Sequence, residues 1–499
     1  MCGVGAIVSF RKRSASGKFI IGRIFQVMQG MINRGRESYG IGLIGNNDQP
    51  NTQWKAVGPA DGGDDGNSIR KDVVDNISNR FSGEHRIAIG HVRYPTSSEP
   101  TEFDAQPHHY GTGGQRFVLA SNGDLPFCEH ERMELKLLGY KFESNCDAEV
   151  IVKWIGHTWN QNGHNEEAAF LSVGAKLKGA FSLVTITPSG RLFVMRDPIG
   201  YHPLYYATDQ ENGLFYVCSE SAVIQKLANL DPIEVKTGQL LVVDPTARGA
   251  NRIKCHWIEQ SNRCAHLCGM EYVYFNRPDS IVSSNDRRMM NSIRMLLGQE
   301  LGREWRKHYP VPDAVCYLPR SGEDAAAGFR DALSVAQWPI IKKDTAYRIF
   351  MGSRRVRSQA VRQKLTINPD YFNGNLDFKL NYVVVVDDSI VRGDQSRGAI
   401  ADLKAAGCKK VGFAVTWPLH RYPCFYGLNT GDSKMLIGYG LTDREVMDLI
   451  GADYLHCLSL SAVQRVLGHN NFCHACATGK YLTPIPTDNT KLEIGQVMS

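Results

Sequence analysis

Residues 382–396 constrain the fold of this chain more than any other stretch, and they read YVVVVDDSIVRGDQS. Four consecutive valines that end in two carboxylates predict a strand buried on both faces, which is typical of a parallel sheet. Residues 396–403, SRGAIADL, then have the apolar spacing of a helix. Because free N–H groups at a helix start bind anions, we expect a phosphate in the turn between strand and helix.

Length and composition indicate the number of domains, the kinds of partner and the cellular location. A chain of 499 residues with 42% hydrophobic residues predicts two or three packed domains. The net charge of +6 is spread along the chain, so we expect an anionic substrate and no nucleic acid partner. No apolar run approaches the roughly 18 residues of a membrane span, and no targeting segment is visible. We therefore expect a cytoplasmic protein without a membrane partner.

The chain begins MCGVGAIV, which puts a cysteine directly behind the initiator methionine. If Met1 is removed, Cys2 carries both a thiol and an α-amine with a pKa of about 7.7 to 8.0, which can act as the base for the thiol. Taken alone, this pattern also fits a buried N-terminal cysteine without a function.

Further polar motifs follow in the first half of the chain: RGRESYGI from residue 34, GHVRYPT from 90, ASNGDL from 120, CDAE from 146 and RDPIG from 196. Together with Cys2, they resemble in order and spacing the N-terminal-nucleophile glutamine amidotransferase domain, over about residues 2–235. The resemblance implies that Cys2 attacks the amide of glutamine. It also implies that Arg93 binds the α-carboxylate and Asp147 the α-ammonium group.

Asn122 and the Gly123 N–H would form the oxyanion hole, at about 3 kcal/mol of transition-state stabilisation per donor. The family usually reads His-Asn-Gly-Asn at this position. This chain has Ser121 and Asp124 around the retained Asn-Gly pair.

The run at 382–396 resembles the 5-phosphoribosyl-1-pyrophosphate (PRPP) motif of type I phosphoribosyltransferases. Its form DDSIVRG is similar to that of the glutamine-dependent amidophosphoribosyltransferases, the enzymes of the first step of purine synthesis. Carboxylates can hold ribose hydroxyls or Mg²⁺. The residues that the resemblance assigns to PRPP and Mg²⁺ are Ser321, Lys342, Arg348, Asp387, Asp388, Ser389, Arg392, Gly393 and Ser396.

The resemblance implies a fold of mixed α+β and α/β class. We expect an N-terminal-nucleophile domain of four αββα layers at residues 2–240. A type I phosphoribosyltransferase domain, with a doubly wound parallel sheet, follows at 260–465, and a C-terminal tail at 466–499. It further implies purine nucleotides as feedback inhibitors and a homo-oligomer, either a dimer or a tetramer.

The transferase half departs from the family pattern at three places. Arg320 reverses the charge of an acidic residue in the pyrophosphate loop, Asp394 lies in the phosphate turn, and Asp344 lies in the loop that closes over PRPP. These changes leave two alternatives open beside an amidophosphoribosyltransferase. One is a paralogue that aminates a different phosphorylated acceptor, and the other is a regulatory paralogue that binds a nucleotide without turnover.

Thirteen cysteines are too many and too scattered for a compact disulfide framework, and in the cytosol they are more often reduced, catalytic or metal-bound. The CxxC pair of Cys473 and Cys476 resembles the C-terminal pair of the iron–sulfur amidophosphoribosyltransferases. The remaining ligands of that family match Cys268 and Cys424. Four thiolates suit a [4Fe–4S] cluster, zinc is the main competitor, and unligated cysteines are the simplest alternative.

Overall fold

A computed structural model describes residues 1–11, 16–44, 52–58, 60, 71–81, 83–94, 101–112, 116–259, 261, 264–319, 322–338, 340–343, 365–431 and 433–486. The strands, in chain order, are β1 (Gly3–Ser9), β2 (Ser38–Leu43), β3 (Thr52–Val57), β4 (Ile87–Arg93), β5 (His108–Tyr110), β6 (Phe117–Asp124), β7 (Ala180–Ile186), β8 (Leu192–Arg196), β9 (Tyr205–Asp209), β10 (Leu214–Cys218), β11 (Ile233–Glu234), β12 (Gln239–Val243), β13 (Ile253–Trp257), β14 (Leu267–Cys268), β15 (Ala314–Tyr317), β16 (Ala336–Gln337), β17 (Ile341–Lys343), β18 (Leu365–Ile367), β19 (Tyr382–Asp387), β20 (Lys410–Val415), β21 (Tyr454–Cys457) and β22 (Phe472–Cys473).

The helices are α1 (Gly17–Gly30), α2 (Lys71–Arg80), α3 (Cys128–Leu137), α4 (Asp147–Gln161), α5 (Glu166–Lys176), α6 (Ser221–Ala228), α7 (Met290–His308), α8 (Glu323–Leu333), α9 (Asp370–Asn373), α10 (Asp394–Ala405), α11 (Asp443–Ile450), α12 (Leu460–Leu467) and α13 (Ala475–Thr478). A π-helical turn spans Glu271–Phe275. None of the described helices combines the length and the apolar character needed to cross a bilayer.

The first half of the chain is a sandwich of two antiparallel sheets. One sheet has the order β11-β9-β10-β1-β4-β2-β3, and the other has the order β13-β12-β8-β7-β6-β5. Alternating apolar side chains such as Val4 and Val118 fill the space between the sheets. Helix α1 packs on the outer face of the first sheet through residues such as Ile24, and α4 packs on the second through residues such as Ile155. The predicted four-layer αββα architecture is confirmed.

Glycines in β1 allow α1 to approach the first sheet closely. A side chain at Gly5 would bring its Cβ within 2.5 Å of Val27 on α1. The helix begins at an N-cap, where the hydroxyl of Ser16 accepts a hydrogen bond from the amide of Phe19. The N-terminal strand that carries Cys2 is thereby held on both of its faces.

The second half contains a five-stranded sheet of order β16-β15-β19-β20-β21, in which every neighbouring pair is parallel. On β19, Val384 and Val386 face a core that contains residues of α7, α8 and α12. Val383 and Val385 face the opposite core, which contains residues of α10 and α11. The valine run is therefore buried on both faces, and the predicted doubly wound sheet is confirmed.

Two short segments lie near the predicted domain limits. Strand β13 pairs with β12 in the second sheet of the sandwich, so residues 253–257 belong to that sheet. Strand β22 pairs in parallel with β14, which joins the region after residue 466 to the region before the transferase sheet. The C-terminal region is thus attached to the body by backbone pairing.

Helices α7 and α8 cross at very short distance because glycines line the crossing. A Cβ at Gly328 would lie 1.9 Å from the carbonyl oxygen of Met295, and a Cβ at Gly298 would lie 1.9 Å from that of Ala325. Both contacts are with backbone atoms, which cannot rotate away. The helix pair can therefore pack against β19 only with glycine at these positions.

We predict that Gly328→Ala lowers the thermal unfolding midpoint, with a loss of about 1–3 kcal/mol, because the added methyl group must push the helices apart. The matched control is Gly22→Ala in α1, where an added Cβ meets no atom within 4 Å. The control should keep or raise the midpoint through better helix propensity. Equal midpoints for Gly328→Ala and the wild type would show that this crossing tolerates a side chain.

Candidate active sites

Three residues of the predicted glutamine site share the space between the two sheets of the sandwich. Even-numbered residues of β1 and β6 and odd-numbered residues of β4 face that space. Cys2, Asn122 and Arg93 continue these alternations at the strand ends. Since Gly3 of β1 is paired with Val92 of the antiparallel β4, Cys2 and Arg93 lie at the same end of the sheet.

The surroundings of the Cys2 thiol bring the predicted groups together. Burial raises the pKa of the thiol; the N-terminal amine, the Tyr94 amide and the Arg93 guanidinium oppose this rise, and Asp147 adds to it. Burial also lowers the pKa of the Met1 amine to about 5. The Met1 amine is not the predicted base, because the α-amine of Cys2 becomes free only when Met1 is removed.

The amide of Asn122 is the most informative polar group of this site. The side chain is fully buried, and neither of its amide atoms has a hydrogen-bond partner among the described residues. A buried polar group without a partner costs about 1–3 kcal/mol, so such a group is typical of a place that a ligand fills. The next residue, Gly123, has a φ of +154°, and a Cβ there would lie 1.9 Å from the Ala180 carbonyl oxygen.

Asp147 is the first residue of α4, and its neighbours connect it to β6. The Cys146 thiol lies 3.6 Å from the Asp147 carboxylate. The side chain of Gln106 donates to this thiol at 3.5 Å and accepts from the Ser121 amide at 2.7 Å. Gln106 thus connects the start of α4 to the strand that carries Asn122. Our sequence reasoning missed this residue, and no motif marks it.

His91 is a second residue that sequence reasoning missed as part of the site. It lies on the inner face of β4, two residues before Arg93, and both ring nitrogens are buried. Burial, followed by the charge of Arg93, lowers the pKa of His91 to about 3, so the ring is neutral. The motif GHVR could have indicated that His91 is part of the site, because a polar ring at an inward position of a strand is unusual.

The PRPP motif lies at the carboxyl end of β19. Asp387 ends the strand, and both it and Asp388 are buried. The hydroxyl of Ser389 donates to the Asp388 carboxylate at 2.8 Å. The backbone at Gly322 lies very close to the end of β19, since a Cβ at Gly322 would lie 2.4 Å from the Val386 carbonyl oxygen. The carboxylates therefore lie at the carboxyl end of a parallel strand, where open α/β sheets bind ligands.

The turn after these carboxylates has the form of an anion site. Gly393 has a φ of +79° and precedes the first residue of α10. The hydroxyl of Ser396 donates to the Gly393 carbonyl oxygen at 3.1 Å, which fixes the first turn of the helix. Asp394 is exposed at the first position of the helix, and Arg392 is half-buried just before the turn. Free N–H groups in this turn can receive a phosphate.

Part of the predicted PRPP site lies outside the described residues. This applies to Ser321 and Arg348, and also to Arg320 and Asp344. Lys342 lies on β17, of which only the backbone is described at that residue. Their predicted roles stay predictions.

The segment Glu271–Phe275 lies between the two sites. The ring of Phe275 meets the ring of Tyr94 edge-on, with centroids 5.8 Å apart. Burial of the Tyr274 hydroxyl, followed by the nearby Tyr94, Asp388 and Asp387, raises the pKa of this phenol. Aromatic side chains thus connect the surroundings of Cys2 to those of the PRPP motif.

The four predicted metal-binding cysteines converge at the C-terminal region. Cys268 and Cys473 are paired residues of β14 and β22, and Cys476 lies on α13. Burial raises the pKa of Cys268, and the thiols of Cys473, Cys424 and Cys476 raise it further. The four sulfurs are therefore neighbours in a largely buried place. Among the described residues, no three His, Cys, Asp or Glu side chains are arranged to hold a single metal ion.

Comparison with known proteins identifies a domain in the first half of the chain. Residues 91–226 match the model of a glutamine amidotransferase domain. Two solved structures resemble nearly the whole fold. A glutamine PRPP amidotransferase from B. subtilis complexed with ADP and GMP has a TM-score of 0.79 at 27% identity and covers 98% of both chains. A structure described as the allosteric regulatory enzyme of purine biosynthesis has a TM-score of 0.80 at 27% identity and covers 99% of both chains.

Curated sequences extend the similarity to the whole chain. An amidophosphoribosyltransferase of Methanothermobacter thermautotrophicus is 30% identical over 498 residues, which cover 99% of this chain and 96% of the relative. That of Methanocaldococcus jannaschii is 31% identical over 501 residues, which cover 97% of this chain and 98% of the relative. That of Bacillus subtilis is 31% identical over 410 residues, which cover 80% of this chain and 81% of the relative. This chain therefore belongs to the amidophosphoribosyltransferase family.

Proposed function

We propose that this protein hydrolyses glutamine at Cys2 and transfers the ammonia to C1 of PRPP. Glutamine and water give glutamate and ammonia, and ammonia displaces pyrophosphate from PRPP to give phosphoribosylamine, the first product of purine synthesis. The observation that carries the proposal is the similarity to curated amidophosphoribosyltransferases over nearly the full length of the chain. The two candidate sites on one continuous chain fit this reaction.

In the first step, the Cys2 sulfur attacks the amide carbon of glutamine while the α-amine that is free after removal of Met1 takes the thiol proton. The amide of Asn122 and the Gly123 N–H donate to the oxyanion of the tetrahedral intermediate. The partnerless amide of Asn122 supports this role. Arg93 binds the α-carboxylate and Asp147 the α-ammonium group, as their positions beside the thiol support.

In the second step, the 5-phosphate of PRPP binds the N–H groups from Gly393 to Ser396. Asp387 and Asp388 would hold the ribose hydroxyls or Mg²⁺, and a bound Mg²⁺ would supply positive charge that neutralises pyrophosphate as it leaves. The remaining residues contact pyrophosphate or order the turn; they are Ser321, Lys342, Arg348, Ser389 and Arg392. Asp394 is exposed, so solvent and salt screen its charge and weaken its repulsion of the phosphate, which is compatible with PRPP as the acceptor.

The four cysteines are proposed to hold a [4Fe–4S] cluster through Cys268, Cys424, Cys473 and Cys476. A single tetrahedral zinc ion needs all its sulfurs about 2.3 Å from one point. A cluster uses one thiolate at each of its four corners, so its sulfurs lie farther apart. The four buried thiols that lie near one another support a site with four sulfur ligands. The cluster would attach the C-terminal region to the body and would take no part in the reaction.

Three further properties are proposed by analogy. Purine nucleotides act as feedback inhibitors, as suggested by the B. subtilis relative that was solved with ADP and GMP. The protein is a homo-oligomer, either a dimer or a tetramer. Its location in the cytoplasm stays a prediction from the sequence.

One assay tests the proposed reaction directly. Glutamate and pyrophosphate are measured with glutamine, PRPP and Mg²⁺, and each component is omitted in turn. We expect pyrophosphate only when PRPP, Mg²⁺ and a nitrogen source are all present. Glutamate release without any pyrophosphate would favour a different acceptor, and the absence of both products would favour a binding protein.

We predict that Cys2→Ala abolishes turnover with glutamine and retains turnover with added ammonia, because only the nitrogen source is lost. The matched control is Cys218→Ala, which removes another buried thiol of the same sheet and should keep both activities. Equal loss of both activities in Cys2→Ala would contradict two separate sites. Unchanged glutamine turnover would remove Cys2 from the mechanism.

We predict that protein purified without oxygen is brown and contains about four irons and four sulfides per chain. Cys473→Ser should remove iron and lower stability and solubility before it affects the chemistry, because the metal site contributes to folding. Cys408→Ser, which changes a buried thiol elsewhere, should leave the iron content unchanged. Stoichiometric zinc without iron would overturn the cluster assignment.

We predict that Asp394→Thr leaves PRPP binding unchanged or tightens it by up to about fivefold, since an exposed charge contributes at most about 1 kcal/mol. Calorimetry with PRPP and Mg²⁺ measures the effect. Asp402→Thr, at another exposed position of α10, is the control. If neither the wild type nor Asp394→Thr binds PRPP while Asp394→Thr loses activity, Asp394 recognises a different acceptor.

A further inference from the structure

A fully buried ionic cluster lies where the two halves of the chain meet. The Arg34 guanidinium donates to both carboxylate oxygens of Glu271, at 3.2 and 2.9 Å, and its Nε donates to Glu220 at 2.8 Å. All three side chains have no exposed surface. His202 adds a contact, with its Nδ1 3.4 Å from Glu271 and its Nε2 2.7 Å from the carbonyl oxygen of Tyr426.

The charges in this cluster hold each other in their ionised forms. Burial alone would raise the pKa of Glu271, but Arg34 and the hydrogen bonds from His202 and Arg34 lower it to about 2. Burial alone would lower the pKa of Arg34, but Glu220 and Glu271 raise it. Removal of one member of such a group leaves the remaining charges buried, without a partner and without hydration. The cluster therefore fixes the position of Arg34 tightly.

The turn that contains Arg34 connects this cluster to the glutamine site. The side chain of Asn33 donates to the Phe275 carbonyl oxygen at 2.9 Å and to Glu220 at 3.0 Å. Gly35 packs directly on the end of β4, because a Cβ there would lie 2.2 Å from the carbonyl carbon of Arg93 and 2.7 Å from the Tyr94 nitrogen. The turn thus touches the backbone that carries Arg93 and that faces the Cys2 thiol.

We propose that Glu271 is a positioning residue for glutamine: it fixes Arg34, and the turn 33–35 then sets the end of β4 from which Arg93 reaches the substrate carboxylate. Glu271 touches no substrate itself. This inference rests on the proposed function, since it needs the glutamine site at Cys2 and Arg93. A small displacement of a positioning group can lower a rate about a hundredfold, so the effect should be large enough to measure.

Glu271→Gln is the sharpest test, because it keeps the size of the side chain and leaves the ion pair of Arg34 with Glu220. We expect the KM for glutamine to rise about tenfold or more, with a small change in kcat and no change in turnover with ammonia. Gly35→Ala tests the contact between the turn 33–35 and the end of β4 without changing a charge. It should raise the KM for glutamine in the same way.

The matched control is Glu234→Gln, which removes the carboxylate from a partly buried ion pair of the same domain. Glu234 accepts from Arg196 at 2.7 Å, and its other polar contacts are with Ser284 and Lys236, away from the turn 33–35 and β4. This variant should keep the KM for glutamine at the wild-type value. Unfolding midpoints of all variants show whether each is folded.

Two results would overturn the inference: an unchanged KM for glutamine in Glu271→Gln, or an equal loss of glutamine- and ammonia-dependent turnover. A wild-type protein that turns over ammonia and PRPP but never glutamine would overturn the proposed glutaminase function instead. A rise in the KM for glutamine confined to Glu271→Gln and Gly35→Ala would establish the positioning role.

Discussion

The ion pair of Arg34 and Glu271 is the interaction on which the arrangement of this molecule depends. It joins residues 237 positions apart, and neither side chain reaches solvent. Two charges lose several kcal/mol of hydration each when they are buried this deeply, and their attraction offsets the loss only with good geometry and further hydrogen bonds. Glu220 and Asn276 accept further hydrogen bonds from Arg34, and the His202 ring lies beside Glu271. This cluster, together with contacts such as that of His202 with the Tyr426 carbonyl oxygen, joins the two halves through buried polar groups.

This contact lies beside both reaction centres. The segment that begins at Glu271 reaches Tyr94 through Phe275, and it reaches the carboxylates of the PRPP motif through Tyr274. Arg294 holds the same segment from α7, with hydrogen bonds to the carbonyl oxygens of Tyr272 and Asn276. One short segment thus contacts the surroundings of the nucleophile and of the acceptor, which suits an enzyme that must pass ammonia between them.

Local sequence signals were sufficient for the fold, and they point to the two candidate sites. The valines of β19 and the turn at Gly393 follow from strand and helix patterns that act over a few residues. Cys2, Arg93 and Asn122 carry motifs, and strand alternation brings them into one space. The identity of the family and the doubly wound sheet could be predicted on this basis.

Long-range partners could not be predicted, because nothing in a local pattern fixes them. Arg34 and Glu271 were each part of a motif, but their pairing depends on how two domains meet. Gln106 lies in a segment without periodicity, and its contacts to Cys146 and Ser121 depend on the packing of α4 against β6. The exposure of Asp394 at the first position of α10 likewise became clear only in the structure.

The most direct test of a coupled two-site enzyme is the ratio of glutamate to pyrophosphate during steady turnover, with saturating glutamine and PRPP and no added ammonia. The account predicts equal amounts of the two products in the wild type, because each ammonia molecule that is released at Cys2 reaches the acceptor. A large and constant excess of glutamate over pyrophosphate would contradict it, since the two halves would then work independently.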